Sequence, residues 1–228
     1  MNSFLIQEKQ IAVRAIKIIE ILRQATKGMP ESMSSIIVNN YGRDPFLILI
    51  GCLLSLRARD IVTTPICIEL FKKAKTPKEI LKIPIKELEI LFHSIGFYKK
   101  KAKLVHDVSK EIIERFNNKV PSTKEELLSI SGVGPKTANL VLAEGFNIPA
   151  ICVDTHVHRI SNRLGLVKTK TPEQTEIALQ KVLPKEHWSE WNKLMVMWGQ
   201  NICVPISPFC SKCAIYNLCP RIGVKSQR

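Results

Sequence analysis

The sequence predicts an all-α protein. Apolar residues recur at helical spacing along the whole chain, and no segment alternates as a half-buried strand would. One form of helix start occurs twice, at Thr76–Pro77–Lys78–Glu79 and at Thr171–Pro172–Glu173–Gln174. In each, a capping hydroxyl precedes proline at the first helical position, and the third position can reach back to the cap. The connections between periodic segments are short, so roughly a dozen helices account for the chain.

In order, Ile11, Ala15, Ile18, Ile19 and Leu22 share one face of an amphipathic first helix, and Pro30 and Gly42 punctuate the next stretch. Phe46, Leu47, Ile50, Leu53 and Leu54 belong to a helix that is apolar nearly all round, hence central. Asp60 is placed to cap a helix through Ile66, Ile68, Leu70 and Phe71, and Pro65 inside it predicts a kink or a late start. Ile85–Leu91 and Lys99–Phe116 read as helices separated by Ser94–Ile95–Gly96–Phe97–Tyr98. Thr155–Leu164 reads as another, and Trp191, Leu194, Met195 and Trp198 form a helical stripe assigned to the core.

With 34 Lys and Arg against 20 Asp and Glu, the formal net charge is +14. That balance favours a polyanionic partner, nucleic acid first and an anionic membrane surface second. Residues Met1–Leu22 mix charges into their apolar sequence, so no signal peptide is expected, and no apolar run is long enough to span a bilayer. An intracellular location is therefore the expectation. Seven cysteines in that setting point to metal or cluster ligation rather than disulfides. Cys52, Cys67 and Cys152 lie in apolar surroundings and read as small core residues.

Three motifs carry chemistry. The first is Ile130–Ser131–Gly132–Val133–Gly134–Pro135–Lys136–Thr137–Ala138–Asn139. Thr123 with Glu126 fits a capping box for a helix over Thr123–Ile130, and Lys136–Phe146 reads as a second helix with Pro135 at its first position. Two short helices joined by Gly-Val-Gly form a helix–hairpin–helix. The glycines can take positive φ and leave no Cβ between backbone and ligand. The N–H groups of the opening turn then face outward, where a phosphate can accept from them. The second motif is Val153–Asp154–Thr155–His156–Val157–His158–Arg159, in which Asp154 reads as a helix N-cap. Residues two apart on a helix point in different directions, so Asp154, His156 and His158 are not read as a metal site. The third is Cys203, Cys210, Cys213 and Cys219, spaced C-x6-C-x2-C-x5-C, which indicates a bound centre. Zinc favours two short paired spacings, and here only one pair is short.

Together these motifs resemble those of the endonuclease III family of DNA base-excision glycosylases, over about Pro45 to Cys219. The resemblance implies a six-helix barrel domain over Val38–Ile148. It joins Met1–Ile37 to Pro149–Arg228 in a second helical domain with a [4Fe–4S] cluster on the four cysteines, the active site lying in the groove between the domains. It implies a bifunctional DNA glycosylase and AP lyase for oxidised or ring-saturated pyrimidines in duplex DNA, associated with the nucleoid. Lys136 falls at the family's Schiff-base lysine and Asp154 at its catalytic aspartate. A lysine at the N-terminal turn of a helix meets the positive end of the dipole, and this together with partial burial favours the neutral, nucleophilic amine. Gly132, Val133, Gly134 and Thr137 form the surface assigned to phosphate. His156 matches the family's histidine, set to contact backbone or phosphate with help from Arg159, and His158 is a surface or packing residue. A monomer suffices for one active site per chain.

The chain departs from the family in three places. The family's Leu-Leu-Ser-Ala-Gln-Ala-Thr-Asp is here Leu53–Leu54–Ser55–Leu56–Arg57–Ala58–Arg59–Asp60, so Arg57 stands where a glutamine fills the gap left by the flipped base. Arginine can still plug that gap but reads the orphan base differently. Phe97 replaces the leucine wedge of Ile-Gly-Leu-Tyr, and two readings stay open: a larger wedge that stacks on a base, or a core residue. The loop Val204–Phe209 has no basic residue where the family often has one. Lys212, Lys99–Lys101 and Lys103 are the remaining candidates for phosphate. Two rivals stand beside this reading. Mismatch glycosylases of the same superfamily typically lack the lysine, and a non-catalytic helix–hairpin–helix module has no use for Asp154.

Overall fold

The computed structural model describes the backbone of residues 2–228 and the side chains of residues 9–228. Among the described residues there are twelve α-helices and no strand. They are α1 (Asn2–Ala25), α2 (Met33–Tyr41), α3 (Pro45–Ser55), α4 (Asp60–Lys73), α5 (Pro77–Lys82) and α6 (Ile85–Leu91). Then come α7 (Tyr98–Phe116), α8 (Lys124–Leu128), α9 (Pro135–Leu140), α10 (Thr155–Arg163), α11 (Pro172–Val182) and α12 (Trp188–Asn201). A π-helical turn, Val141–Gly145, continues α9. The chain divides into two compact units, Met1–Glu31 with Pro149–Arg228, and Ser32–Ile148. A boundary between residues 37 and 38 would cut α2. The division falls instead ahead of Ser32, whose hydroxyl accepts from the Ser35 N–H and caps that helix.

In the Ser32–Ile148 unit, α3 is buried on every face from Phe46 to Leu54, as its composition requires. Its start is fixed by Asp44, whose Oδ1 accepts from the N–H groups of Phe46 at 2.8 Å and Leu47 at 3.1 Å, with Pro45 at the first helical position. Gly51 lets α2 approach, since a Cβ there would fall 2.7 Å from the Ile37 side chain. Asp60 does not cap its own helix. It is the first residue of α4, and its carboxylate accepts from the Met33 N–H at 3.3 Å, serving the start of α2 instead. Pro65 neither delays nor ends α4. The carbonyl it leaves without a helical donor belongs to Ile61, which is 79% exposed, so water can supply that bond.

The segment Lys136–Phe146 is not one regular helix. It resolves into α9 and the π turn, which packs on the start of α3. A Cβ at Gly145 would sit 2.8 Å from the Pro45 Cα, and Arg43 donates to the carbonyls of Ala143 and Glu144 at 3.1 and 3.2 Å.

In the other unit, Ala15, Ile18, Ile19 and Leu22 of α1 are buried as their spacing predicts, among Val157 and Ile160 of α10 and Trp191, Met195 and Trp198 of α12. The aromatic stripe of α12 is therefore core, and the Trp191 indole N–H donates to Ser161 Oγ at 3.2 Å. Arg14 donates to the carbonyls of Leu164 and Gly165 at 2.9 and 3.0 Å, closing the C-terminal end of α10 with a cation. Among the described residues no helix is long and apolar enough to cross a membrane.

Asp44→Ala removes both cap bonds at the start of α3. It is expected to cost about 1–2 kcal/mol, read as a lowered midpoint in urea unfolding.

Candidate active site and cysteine cluster

The hairpin in the Ser32–Ile148 unit is held from below by α7. The Ser131 N–H donates to Glu111 Oε2 at 3.1 Å, and Arg115 donates to the carbonyl and hydroxyl of Ser129 at 3.0 and 2.8 Å. This anchoring by Glu111 and Arg115 has no signature in the sequence, because residue spacing alone does not set α7 against the hairpin. Thr123 accepts from the Glu126 N–H and donates to its carboxylate at 2.7 Å, giving α8 a reciprocal start.

The two glycines play different parts. Gly132 has φ +76, and a Cβ there would meet Leu104 at 2.9 Å. Gly134 is extended, with φ −99 and ψ 176, and has nothing within 4 Å of its Cβ position. So only Gly132 needs left-handed backbone, while Gly134 keeps open space before α9. Pro135 opens α9 as expected, and no side chain caps that turn. Val133 departs from its expected role. Its side chain is buried and its N–H donates to the Ile130 carbonyl at 3.1 Å, so it packs and closes the turn. The Thr137 side chain is buried too, which leaves only its backbone for a ligand.

Lys136 is exposed, so the partial burial anticipated for it is not found. Its ammonium does act on Cys52 of α3, favouring the thiolate. Burial acts more strongly in the other direction and pushes the Cys52 thiol up to about 12. Cys67 is likewise pushed up to about 12, chiefly by burial. Both thiols therefore stay protonated, as inert core residues. Arg57 and Phe97 are both exposed, at φ 54 and φ 61. At 59% exposure, Phe97 is not a core residue. Lys101 is not at the surface. It is 5% exposed and drops out of the candidates for phosphate. Lys103 remains exposed, paired with Asp107 at 2.6 Å.

In the other unit, Asp154 caps α10. Its Oδ1 accepts from the N–H groups of His156 and Val157, both at 2.8 Å. Both cap bonds fall on one oxygen of the carboxylate. His156 Nδ1 accepts from Arg159 at 3.1 Å, which puts the ring proton on Nε2. Gly199 makes room for this ring, since a Cβ there would fall 2.5 Å from His156 Nδ1. Arg159 is turned inward. It donates to the Cys203 carbonyl at 2.8 and 3.2 Å, to Gly199 O at 3.1 Å and to Thr155 O at 3.3 Å. Most of its donors go to the protein, so it orients His156 and the end of α12. His158 packs through Thr175 Oγ1 at 2.7 Å.

Cys203, Cys210, Cys213 and Cys219 line one cavity, walled by Ile160, Leu164, Trp198, Phe209 and Ile215. Among the described residues no three Cys, His, Asp or Glu side chains converge as a single metal ion requires. Arg163 was not singled out from the sequence, where it is one more basic residue of α10. It donates to Cys203 Sγ at 3.3 Å and to the carbonyls of Val204 and Pro205 at 2.8 and 2.6 Å. The Arg221 N–H reaches Cys219 Sγ at 3.4 Å. The Trp198 indole N–H is buried with no hydrogen-bond partner among the described residues. Burial raises the Cys213 thiol, while the Ile215 N–H and the nearby Trp198 indole favour its thiolate. A cavity with N–H donors aimed at its sulfurs suits an anionic centre on four thiolates. Lys212 is exposed, its Nζ 5.8 Å from the centre of the Phe209 ring.

Residues 50–185 match the HhH-GPD superfamily of base excision DNA repair proteins. The endonuclease III of Thermotoga maritima is 44% identical over 200 residues, which span 88% of this chain and 91% of that one. The chain belongs to the endonuclease III family. Two solved structures of the family align with it. One is a non-covalent endonuclease III–DNA complex, with TM-score 0.80 and 32% identity over 92% of this chain and 95% of the other. The second is a trapped endonuclease III–DNA covalent intermediate, with TM-score 0.73 and 36% identity over 83% and 91%. Endonuclease III proteins carry a [4Fe–4S] cluster, and the cysteines for one are present here.

Gly132→Ala forces a side chain into left-handed backbone against Leu104 and is expected to cost about 1 kcal/mol or more. Gly134→Ala meets nothing and is expected to stay within about 0.5 kcal/mol of the parent, with thermal unfolding of the pair as the check.

Proposed function

We propose that this endonuclease III family member is a bifunctional DNA glycosylase and AP lyase for oxidised or ring-saturated pyrimidines in duplex DNA, with Lys136 as nucleophile and Asp154 as its electrostatic partner. The observation that carries the reading is an exposed lysine in the first turn of α9, behind a glycine with open space before it, in a chain whose Asp154 carboxylate caps α10 through one oxygen. Ring-saturated pyrimidines have lost aromatic stacking, so drawing them out of the duplex costs less than drawing out a normal base.

The Lys136 amine attacks C1′ as the bond from C1′ to the base breaks. Positive charge develops on the sugar, and the Asp154 carboxylate stabilises it. The base leaves with the bonding pair and takes up a proton. Loss of a proton from the amine and opening of the sugar ring give a Schiff base between Nζ and C1′. That group draws electrons from the C2′–H bond. The C2′ proton leaves, the C3′–O bond breaks, and the strand is cut on the 3′ side. Water then releases Lys136. Gly134 and the Thr137 backbone receive a phosphate, Arg57 fills the place of the extruded base, and Phe97 wedges beside it.

Cys203, Cys210, Cys213 and Cys219 would hold a [4Fe–4S] cluster, a reading supported by their shared cavity and by the donors from Arg163 and Arg221. Held by these four residues, such a cluster would supply a structural tie for the loop, while the residues assigned to base removal are Lys136 and Asp154. Lys212 and its neighbours meet the DNA backbone.

Lys136→Ala is expected to abolish strand cleavage on a thymine glycol duplex, and Asp154→Asn to lower base release by about 100-fold or more. Normal cleavage by the lysine variant would refute the assignment, and full activity of Asp154→Asn would reduce that residue to a cap. Gly134→Ala should weaken duplex binding without loss of fold. Purified protein should be brown, with about four iron atoms per chain; colourless protein with stoichiometric zinc would overturn the cluster.

A further inference from the structure

Lys101 is buried in the first turn of α7, although burying a charge is costly unless it is well paired. Its Nζ donates to the Leu54 carbonyl at 2.7 Å. That carbonyl lies in the last turn of α3, and the N–H that would continue the helix to it, that of Ala58, donates to Ser55 O at 3.0 Å instead. Lys101 thus caps the C-terminal end of α3.

The Ser55–Ala58 bond closes a turn whose central residues are Leu56, at φ −54 and ψ 118, and Arg57, at φ 54. This matches a type II turn, whose second central place favours glycine. Arginine stands there. The backbone N–H of Lys101 donates to the Phe97 carbonyl at 3.0 Å, and Phe97 is left-handed as well, at φ 61 and ψ 27. Large side chains persist in this conformation only where their surroundings impose it. One residue thus bonds the stretch that turns at Arg57 through its side chain, and Phe97 through its backbone.

We propose that Lys101 is a positioning residue for lesion recognition, holding Arg57 and Phe97 in the left-handed conformations that present both side chains to the duplex. The proposal rests on the reading of this chain as a lesion-specific DNA glycosylase. Burial also lowers the Lys101 amine from its ordinary range, in keeping with a charge held where solvent is scarce.

A mutant cycle tests it, with affinity measured for a duplex carrying a tetrahydrofuran abasic analogue and for the same duplex undamaged. Lys101→Met keeps the aliphatic stem and loses the donor. It is expected to weaken analogue binding about tenfold and to leave undamaged-duplex binding within about twofold. In an Arg57→Ala, Phe97→Ala background the same change should cost less than about twofold, because the side chains it positions are gone. An equal factor in both backgrounds would mean that Lys101 acts only through general stability, and would overturn the proposal. If Lys101→Met does not fold, Lys101→Arg is compared across the two backgrounds by the same criterion. Should the parent protein itself bind analogue and undamaged duplex equally, the functional reading fails rather than the role of Lys101.

Discussion

The Ser32–Ile148 unit depends on the burial of α3. A helix with no exposed face from Phe46 to Leu54 must be surrounded, and its neighbours are fixed by what its surface allows. Gly51 admits α2, and Gly145 brings the π turn down onto Pro45. Both ends of α3 need partners, because helix termini leave backbone groups unbonded. Asp44 supplies one end and Lys101 the other. The consequence for function is direct. Arg57 lies just past the C-terminal end of α3, Cys52 within it feels the Lys136 ammonium, and α9 packs on its surface. A helix that looks like pure core is also the reference frame for the exposed residues of this unit.

The other unit solves a different problem. Its cysteine loop buries Ile215 in the core, and arginines hold the rest of it. Arg159 gathers carbonyls from the end of α12 and fixes His156, while Arg163 bonds Cys203 and the two residues after it. Both project from α10, the helix that Asp154 caps. The carboxylate assigned to the chemistry and the loop assigned to the cluster are thereby joined through one short helix, without either being part of the other.

Much of this was legible in the sequence. Periodicity located the helices, and the Thr76, Thr123 and Thr171 starts proved to be caps. The cysteine spacing and the Val-Asp-Thr-His stretch point to the family without any knowledge of the fold. Features that could not be read depend on contacts distant along the chain. Asp60 has the right spacing to cap α4, yet it bonds α2, and only packing decides between them. Arg159 and Lys101 look like any other basic residues near a site for a polyanion. Their inward orientation follows from carbonyls 40 or more positions away, at Gly199, Cys203 and Leu54. Left-handed backbone at Arg57 and Phe97 was hidden for the related reason that neither residue type advertises it.

The central claim is that the Lys136 amine forms the covalent link to the sugar. Borohydride reduction of the wild-type protein on a thymine glycol duplex, followed by proteolysis and mass mapping of the nucleotide-bearing peptide, addresses that bond itself. The account requires the modified residue to be Lys136. An adduct on another amine, or alkali-labile abasic sites with no adduct, would contradict it.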